Sequence, residues 1–523
     1  MAVNRSENLE SLFEQFLIAS DQEGDVDEQD DDVASPVETD DSSEDDDDKE
    51  NSNIGGSDSW SDNIVARDPW KFVDDCGVDS ELLADCEKPI DFYELFFNSD
   101  ILNLLVVETN RYGQEKDESW STNTDEMKRF FGLCLQMGIV KLPSLRDYWS
   151  SRAVFGGHPI GAQVMTRTRF ESLLANLHLA DNASFDGSDR LYKITPLLTL
   201  FNVACEKVYR PGKDVCIDES LVPFRGRIVF RQYLPNKRHR YGIKLFKLCT
   251  KGGYTYKTIV YAGKDTSRKG SLPETVVLKL MDGLLDSGRR VFADNWYTSI
   301  PLAEQLIQRR THLVGTIRKN RRGLPRRVME KKLTRGHVVA QQNTLGVVVL
   351  KWRDKRDILM LSTTHDDSMC EEGKPKIVHD YNQAKLYVDT SDQMASYSPY
   401  VRKTSKWYIR LLFHLLTQTA VVNAWRLYND LIKKIKLTDF KMEIIESLLN
   451  ADRFTPSSRP TLEELAGPKA VSRKRCTGCY KGISKKEGSR LADKLARKVN
   501  TRCSQCHKHF CIECFNAHKK CHI

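Results

Sequence analysis

The amino-acid sequence predicts an α/β protein with a helical region on either side of its core and a small metal-binding region at its C-terminal end. Three observations support this prediction. Apolar residues recur at helical spacing between about residues 70 and 210, and the pattern changes to that of strands near Val215. Half of the 14 cysteines lie in the last fifty residues, in closely spaced pairs.

Charge is segregated along the chain. The 523 residues carry a formal net charge of +6, yet about seventeen acidic residues and one basic residue lie between positions 21 and 50. The remainder therefore carries roughly +22, which favours a polyanionic partner. We predict that residues 1–65 form an acidic disordered tail, because so polar a segment cannot bury enough apolar surface to fold. Its candidate roles are a solvated tail, an autoinhibitory mimic of DNA, and a switch phosphorylated at Ser42 and Ser43.

The sequence predicts neither a membrane protein nor a secreted one. No stretch of about twenty residues is uninterruptedly apolar, and the opening MAVNRSENLE lacks the basic and apolar regions of a signal peptide. The paired cysteines favour metal ligands in a reducing compartment over a disulfide framework. Basic stretches at 319–332 and 471–475 are suited to nuclear import, so we predict a nuclear protein.

The elements of the body follow in order. We predict helices over 66–212, where segments such as TDEMKRFFGLCLQMGIV repeat apolar residues at spacings of three and four. From residue 213 the sequence predicts a strand, a β-hairpin, a helix, a strand, a second helix and a further strand. This order is that of a ribonuclease H-like core, and we assign 213–318 and 376–398 to it.

The remaining segments surround this core. Residues 319–375 begin with a basic linker and continue with strands, which predicts a β-rich insertion. Residues 399–468 contain an amphipathic helix predicted from Trp407 to Ile435. A linker containing Pro and Ser then separates this body from the cysteine-rich residues 469–523.

Three aspartates stand at the edges of apolar runs: Asp218 in VCIDES, Asp294 in VFADNWY and Asp389 in YVDTSDQM. Two Mg²⁺ ions held by carboxylates can activate a nucleophile and stabilise the leaving oxygen in phosphodiester transfer. We predict that these aspartates converge on two such ions, which Mn²⁺ could replace. Asp392 follows Asp389 by three positions on one helix face, and is either a further ligand or a support for one. We exclude Glu219, because it should point away from Asp218 in a strand.

Several blocks of the sequence, in order, resemble those of piggyBac-type DNA transposases. They are MKRFFGLCLQMGIVKLPSLRDYWS, RFESLLANLHLADN, IDESLVPFRGR, VFADNWYTSIPLAEQL, GTIRKNRRGLP and YVDTSDQMASYSPYVRKTSKWYIRLLF. The resemblance covers about Trp70 to Ile435 and the cysteine-rich end. It implies that Asp218, Asp294 and Asp389 are the metal-binding catalytic aspartates and that Asp392 is a fourth acid beside them.

The resemblance also implies a reaction and an assembly. The family nicks DNA, lets a 3′-hydroxyl attack to form hairpin ends, resolves the hairpins and joins the ends to TTAA sites. It acts as a homodimer on the terminal inverted repeats of its element. Its dimerisation and DNA-binding domain is split around the core, which maps to 66–212 and 399–468. We therefore predict an active DNA transposase. The alternatives are a domesticated, non-cleaving nuclear DNA-binding or chromatin protein and a nuclease that does not rejoin DNA.

The C-terminal end contains four pairs of residues at the spacing of zinc ligands. The pairs are Cys476 and Cys479, Cys503 and Cys506, Cys511 and Cys514, and His518 and Cys521. Cross-bracing would give one Zn²⁺ to the first and third pairs and a second Zn²⁺ to the others, although further histidines compete as donors. The resemblance implies that this finger binds the ends of the element. A purely stabilising zinc site and a ubiquitin-ligase RING are the alternatives.

Overall fold

A computed structural model describes residues 60–65, 70–156, 161–234, 239–263, 270–401, 404–449, 462–465, 473–503 and 508–517. The chain divides into two compact units, Met1–Leu449 and Asn450–Ile523. The predicted acidic tail lies outside the described residues except for positions 60–65. None of the helices within these ranges combines the length and the apolar character needed to cross a bilayer.

Helices precede the main sheet of the first unit, as the spacing of apolar residues predicts. They are α1 (Pro89–Glu94), α2 (Ser99–Gln114), α3 (Thr124–Ile139), α4 (Arg167–Asn176) and α5 (Thr195–Val208), with 3₁₀ turns at Leu145–Trp149, Ala153–Phe155, Gly161–Gln163 and Asn182–Ser184. The Asn98 side chain caps α2 by accepting from Ile101 N at 3.0 Å. Two short strands, β1 (Gly77–Val78) and β2 (Tyr209–Arg210), flank this region and pair antiparallel.

A nine-stranded mixed sheet forms the centre of the first unit. Its strands are β3 (Asp214–Pro223), β4 (Gln232–Tyr233), β5 (Tyr241–Thr250), β6 (Thr255–Val260), β7 (Arg290–Ala293), β8 (His312–Thr316), β9 (Val338–Gln342), β10 (Val348–Arg353) and β11 (Asp357–Ser362). They lie in the order β4-β5-β3-β7-β8-β11-β10-β9, with β6 also paired to β5.

The first part of this sheet is a ribonuclease H-like core. Strands β3, β5 and β6 are antiparallel neighbours, and β7 and β8 are added in parallel on the other side of β3. Helices α6 (Leu272–Leu280) and α7 (Ile300–Gln308) precede β7 and β8 in the chain. The β5–β6 hairpin turns at Gly252 and Gly253, both at φ +85°, where glycine is the favoured residue. The predicted fold class is confirmed.

The predicted β-rich insertion extends the same sheet. After helix α8 (Arg326–Glu330), strand β11 pairs with β8, and β10 and β9 follow outward. Ser61 then pairs with Gln342 on the outer strand through two backbone hydrogen bonds of 2.9 Å. Residues 60–65, predicted as the end of the tail, therefore cover an edge strand that would otherwise present unpaired backbone groups.

Two helices return to the core after the insertion. They are α9 (Lys376–Ala384) and α10 (Leu386–Ala395). Val388 on α10 packs in one buried cluster with Cys216 of β3 and Phe292 of β7. Ser391 Oγ lies 2.8 Å from Thr255 Oγ1 of β6. Helix α10 therefore lies across the face of the sheet that carries Cys216.

Three helices complete the first unit. They are α11 (Trp407–His414), which continues through a π-helical turn at Leu415–Thr419 into α12 (Ala420–Leu431), and α13 (Leu437–Leu448). The Tyr93 hydroxyl of α1 donates to Leu416 O at 3.1 Å, and the rings of Phe92 and Tyr428 meet edge to face at 5.4 Å. The helices before and after the core thus pack against each other.

The second unit is small and built from short elements. They are β12 (Leu462–Glu464), β13 (Lys474–Arg475), α14 (Thr477–Glu487), α15 (Ser489–Leu495), β14 (Lys498–Val499), β15 (Thr501–Cys503) and α16 (Ile512–Asn516). Strands β12 and β15 pair antiparallel, as do β13 and β14. Its buried cluster consists of Cys476, Cys503, Phe510 and Cys511, so three of the four buried residues are cysteines.

Candidate metal centre

Asp218 and Asp294 lie side by side where the parallel pairing of β3 with β7 ends. The last residues in register between β3 and β7 are Ile217 and Ala293. Each aspartate is the next residue after this pair, so both carboxylates stand at the point where β7 stops. β3 continues beyond it to Pro223 without β7 as a neighbour.

Glu219 joins the two aspartates. Carboxylate oxygens of Asp218, Glu219 and Asp294 all lie within 4.8 Å of one another. The prediction that Glu219 points away from Asp218, which was based on the alternation of side chains along a strand, is wrong. Beside Glu219 the neighbouring strand has ended, and side chains from both faces of β3 can meet in the gap.

Burial and mutual repulsion raise the pKa values of these acids. Burial first, then the charges of Glu219 and Asp294, raise the pKa of Asp218 to about 8. Burial and Glu219 also raise the pKa of Asp294, against hydrogen bonds from the backbone N–H groups of Trp296 and Tyr297. Neither the buried Glu219 Oε2 nor the Tyr297 hydroxyl has a hydrogen-bond partner among the described residues. Three clustered carboxylates with an unpaired buried oxygen are a donor set that fits a divalent cation.

Asp389 lies on α10 outside this group. Cys216 and Ser220 flank Asp218 on one face of β3. Cys216 Sγ lies 3.8 Å from Lys385 O, and Ser220 Oγ donates to Asp392. The two contacts align α10 along this face.

Asp389 falls between the two contacts, since it follows Lys385 by four positions and precedes Asp392 by three. After burial, both Asp218 and Asp389 raise the pKa of the Cys216 thiol. The side chain of Asp389 is exposed, and its carboxylate is not among the three that lie within 4.8 Å.

Asp392 has protein partners instead. Its carboxylate lies 2.8 Å from Nζ of Lys247, a side chain of β5 with no exposed surface, and accepts the Ser220 hydroxyl. Burial raises the pKa of Asp392, but the Lys247 charge and these hydrogen bonds outweigh burial and leave the pKa below its usual value. Of the two roles predicted for Asp392, its contacts favour the support of a ligand over direct coordination.

Basic and aromatic side chains surround the loop that follows Asp294. Trp296 stacks on Phe246 with ring centroids 5.5 Å apart, and Lys244 Nζ lies 4.5 Å from the Trp296 centroid. Arg318 Nε donates to Asn295 Oδ1 at 3.2 Å, and Arg321 Nη2 donates to Trp296 O at 2.6 Å. Three positive charges thus lie beside this loop, and the charge of Arg318 opposes the rise in the pKa of Asp294. The basic run GTIRKNRR was the sequence signal for Arg318 and Arg321, whereas Lys244 lies on β5.

Four cysteines meet in the second unit. Sγ atoms of Cys476, Cys479, Cys511 and Cys514 lie within 4.8 Å of one another. The separations are 3.7 Å for Cys476–Cys511, 3.8 Å for Cys479–Cys511 and 3.6 Å for Cys479–Cys514. A tetrahedral Zn²⁺ with Zn–S bonds of about 2.3 Å requires S···S edges of about 3.8 Å, so these thiols fit one ion.

The ligands predicted for a second Zn²⁺ are mostly outside the described residues. Cys503 is buried in the apolar cluster of the second unit. Cys506, His518 and Cys521 lie in the segments that the structure does not describe. Cys503 is therefore the one member of this set with a structural position.

Comparisons with known proteins give consistent results. A family model described as Transposase IS4 matches residues 88–425. PiggyBac transposable element-derived protein 3 of Homo sapiens is 27% identical over 471 residues, covering 83% of this chain and 75% of that protein. PiggyBac transposable element-derived protein 2 of Homo sapiens is 26% identical over 369 residues, covering 65% of this chain and 61% of that protein. A solved piggyBac transposase synaptic complex with hairpin DNA superimposes with a TM-score of 0.67 and 28% identity, covering 84% of this chain and 98% of that one.

Proposed function

We propose, from the premise that this chain belongs to the piggyBac-type transposase family, that it is a metal-dependent DNA transposase. The observation that carries the proposal is the meeting of Asp218 and Asp294 where β7 ends beside β3, with a third carboxylate in the same gap. The proposed reaction is that of the family: nicking, attack by a 3′-hydroxyl to form hairpin ends, hairpin resolution and integration at TTAA sites.

We assign Asp218, Asp294 and Asp389 as the residues that hold two Mg²⁺ or Mn²⁺ ions, with Glu219 as an additional carboxylate. When bound, such ions activate the attacking water or 3′-hydroxyl and stabilise the leaving oxygen. The chain orients the acids through its backbone. Glu219 N donates to Asp218 Oδ1 at 2.8 Å, and Trp296 N donates to Asp294 Oδ1 at 2.9 Å.

The neighbouring side chains hold α10 in position and place positive charge near the proposed site. The Lys247–Asp392 ion pair fixes α10, and with it Asp389, against β3 and β5. Lys244, Arg318 and Arg321 place positive charge beside the carboxylates, where a scissile phosphate needs it. These cations keep the anionic strand close to a group of acids that would otherwise repel it.

The proposed substrate and assembly also follow the family. The substrates are double-stranded terminal inverted repeats and TTAA target DNA, bound by a homodimer in the nucleus. The segments 66–212 and 399–468 would supply dimerisation and DNA binding. The cysteine-rich unit would hold Zn²⁺ through Cys476, Cys479, Cys511 and Cys514, with a second Zn²⁺ at the other predicted ligands, and bind the repeats.

Strand cleavage of DNA tests the proposal. The DNA that flanks the coding sequence is labelled at its end and incubated with the full chain and Mg²⁺, and products are separated on denaturing gels. We expect nicked and hairpin products from the wild type, a loss of at least about a hundredfold for Asp294→Asn, and full activity for Asp282→Asn, which changes an exposed aspartate. Equal activity of wild type and Asp294→Asn would reject the assignment.

The second candidate is a domesticated protein that binds DNA without cutting it. It is favoured by the names of the two human relatives, which call those proteins transposable element-derived. The same assay separates the candidates: repeat-specific binding by the wild type without any Mg²⁺-dependent product would favour domestication. Joining of pre-cut ends that carry a free 3′-hydroxyl would exclude a nuclease without rejoining activity.

A further inference from the structure

The two faces of β3 differ beside the gap in which the three carboxylates meet. Successive side chains of a strand point to opposite faces, and residues opposite each other on antiparallel strands share a face. Asp218 lies opposite Lys247 of β5, whose ammonium contacts Asp392 of α10 at 2.8 Å. Asp218 therefore belongs to the face that α10 covers. Glu219 lies opposite Phe246 and belongs to the other face.

Aromatic side chains line this other face beside Glu219. Trp296 stacks on Phe246, and the buried ring of Tyr297 meets both of them edge to face. The Tyr297 centroid lies 6.3 Å from that of Phe246 and 4.6 Å from that of Trp296. After burial, the charge of Glu219 raises the pKa of the Tyr297 phenol most, ahead of the charges of the two aspartates. The Tyr297 hydroxyl thus lies on the Glu219 side of the carboxylate group.

Glu219 and Tyr297 each contribute a buried polar atom that lacks a hydrogen bond. Neither Glu219 Oε2 nor the Tyr297 hydroxyl has a partner within the part of the chain that the structure describes. Buried polar atoms are normally paired, so two such atoms beside one group of acids indicate that a ligand belongs there. The two groups are also complementary, since a phenol donates and a carboxylate accepts. A carboxylate that binds a metal ion is itself usually held by a hydrogen bond from a neighbouring group.

The three carboxylates can hold one ion with a single oxygen each. Their oxygens lie within 4.8 Å of one another, and Asp389 is not in this group. Ligands of an octahedral Mg²⁺ with bonds of about 2.1 Å are about 3 to 4.2 Å apart, so a small contraction brings the three oxygens to one ion. Backbone N–H groups already orient Asp218 and Asp294. Three of the six ligand positions remain for water and phosphate.

We propose that Glu219 is a ligand of a first metal ion, together with Asp218 and Asp294. This first ion position forms in the DNA-free chain and does not use Asp389. The Tyr297 hydroxyl is a positioning group that donates to the second oxygen of Glu219. Asp389, on the helix that covers the opposite face, serves the second ion, which the substrate phosphate completes. The part that these ions play in catalysis rests on the proposed function, whereas binding of the first ion does not.

Binding of Mn²⁺ to the DNA-free full-length chain tests the ligand set. The electron paramagnetic resonance signal of free Mn²⁺ is followed during titration, and acids elsewhere in the chain contribute equally in all variants. We expect the affinity to fall at least about tenfold for Glu219→Gln and about tenfold for Tyr297→Phe. It should stay within about twofold of the wild type for Asp389→Asn and for the exposed control Asp282→Asn. Wild-type affinity in Glu219→Gln, or an equal loss in Asp389→Asn, would overturn the proposal.

Carboxylate labelling of the wild-type chain tests the same assignment without a substitution. A carbodiimide and an amine modify the carboxylates, and peptide mass spectrometry gives the rate at each position. We expect Mg²⁺ alone to protect Asp218 and Glu219, and Asp389 to stay reactive until the flanking DNA is added. Protection of Asp389 but not of Glu219 by Mg²⁺ alone would overturn the proposal.

The two experiments separate this inference from the proposed function. A chain in which Mg²⁺ protects Glu219, and Glu219→Gln weakens Mn²⁺ binding, but which cuts no DNA would retain the inference and lose the transposase proposal. A chain that cuts DNA while Glu219 stays unprotected, with wild-type Mn²⁺ affinity in Glu219→Gln, would lose the inference and retain the transposase proposal.

Discussion

At the scale of single residues, the Lys247–Asp392 pair explains how α10 is held over the sheet. Lys247 has no exposed side-chain surface, whereas its partner is about one-third exposed, with values of 0% and 34%. A buried ammonium without a partner is costly, and the 2.8 Å contact to Asp392 satisfies it. The pair therefore ties the helix that carries Asp389 to the strand next to the one that carries Asp218.

Replacing one residue of the Lys247–Asp392 pair should lower the free energy of unfolding more than replacing both. We expect Lys247→Met to lower the free energy of unfolding by about 3 kcal/mol, and the double variant Lys247→Met/Asp392→Asn to recover part of this loss. The measure is a double-mutant cycle by urea unfolding. Lys257→Met is the matched control. It breaks a more exposed pair with Glu206 and should cost less than about 1 kcal/mol. Equal costs for the two lysines would show that Lys247 does not depend on Asp392.

A buried histidine predicts a specific loss of stability in acid. His312 is 2% exposed and stacks on Trp70. Burial, together with Lys213, Arg290 and His365, lowers its pKa to about 4, against a bond to Thr363. In the unfolded chain the pKa of His312 is about 6.5. Between this pH and pH 4 the unfolded chain therefore binds a proton at His312 that the folded chain does not bind. Its contribution to stability is therefore complete above pH 6.5 and is lost as pH falls toward 4.

Substitution at this position isolates that contribution. When the pH is lowered from 7 to 5, the free energy of unfolding of the wild type should fall by about 2 kcal/mol more than that of His312→Gln. Other buried histidines are present in both proteins and cancel. The measurement is urea unfolding at the two pH values. A difference independent of pH would mean that His312 takes up its proton as readily in the folded chain as in the unfolded chain.

Only some residues of the candidate site could be predicted from the sequence. Asp218 and Asp294 were predictable because each stands at the edge of an apolar run. Glu219 was not, since its side chain reaches the site only because β7 stops beside Ile217. The partner of Asp392 was also hidden, because Lys247 looks like an ordinary polar position of an alternating strand. Strand ends and cross-strand partners depend on register, which a single sequence does not specify.

At the scale of elements, apolar periodicity predicted the type of most helices and strands but not their ends. The helix expected to run from Trp407 to Ile435 ends at Leu431, where the Asn429 side chain accepts the backbone N–H of Ile435 at 2.9 Å. It is also interrupted by a π-turn, within which the Thr417 hydroxyl donates to Phe413 O at 2.7 Å. Such side-chain bonds to the backbone compete with helical ones and leave the apolar pattern unchanged.

The folding of the second unit should depend on the Zn²⁺ that we propose for it. Its buried cluster contains only Phe510 besides cysteines, and so small a core folds only with added constraints. Removal of Zn²⁺ by a chelator, or the change Cys511→Ser, should make residues 462–517 sensitive to protease while the first unit stays resistant. Cys76→Ser, which changes an exposed cysteine outside this unit, is the control. A metal-free second unit that resists protease as well as the loaded protein would contradict this prediction.

At the scale of the whole molecule, the proposed activity requires three chain segments to bring their aspartates to the same pair of metal ions. The ribonuclease H-like order of strands places Asp218 beside Asp294 where β7 ends, and α10 lies across the face of β3 that carries Asp218. The insertion strands extend the sheet from β8, on the side away from β3 and β5. The enzyme proposal is therefore a claim about proximity, which can be tested without knowing the DNA sequence.

Iron-directed cleavage of the polypeptide tests this claim most directly. Fe²⁺ replaces Mg²⁺ in the folded full-length chain, ascorbate and peroxide generate radicals at the bound ion, and the fragments are identified by mass spectrometry. The account predicts cuts near residues 218–219, near 294 and near 389, all suppressed by excess Mg²⁺ and lost in Asp294→Asn. Cuts near 218 and 294 without any near 389, or cuts that Mg²⁺ does not suppress, would contradict it.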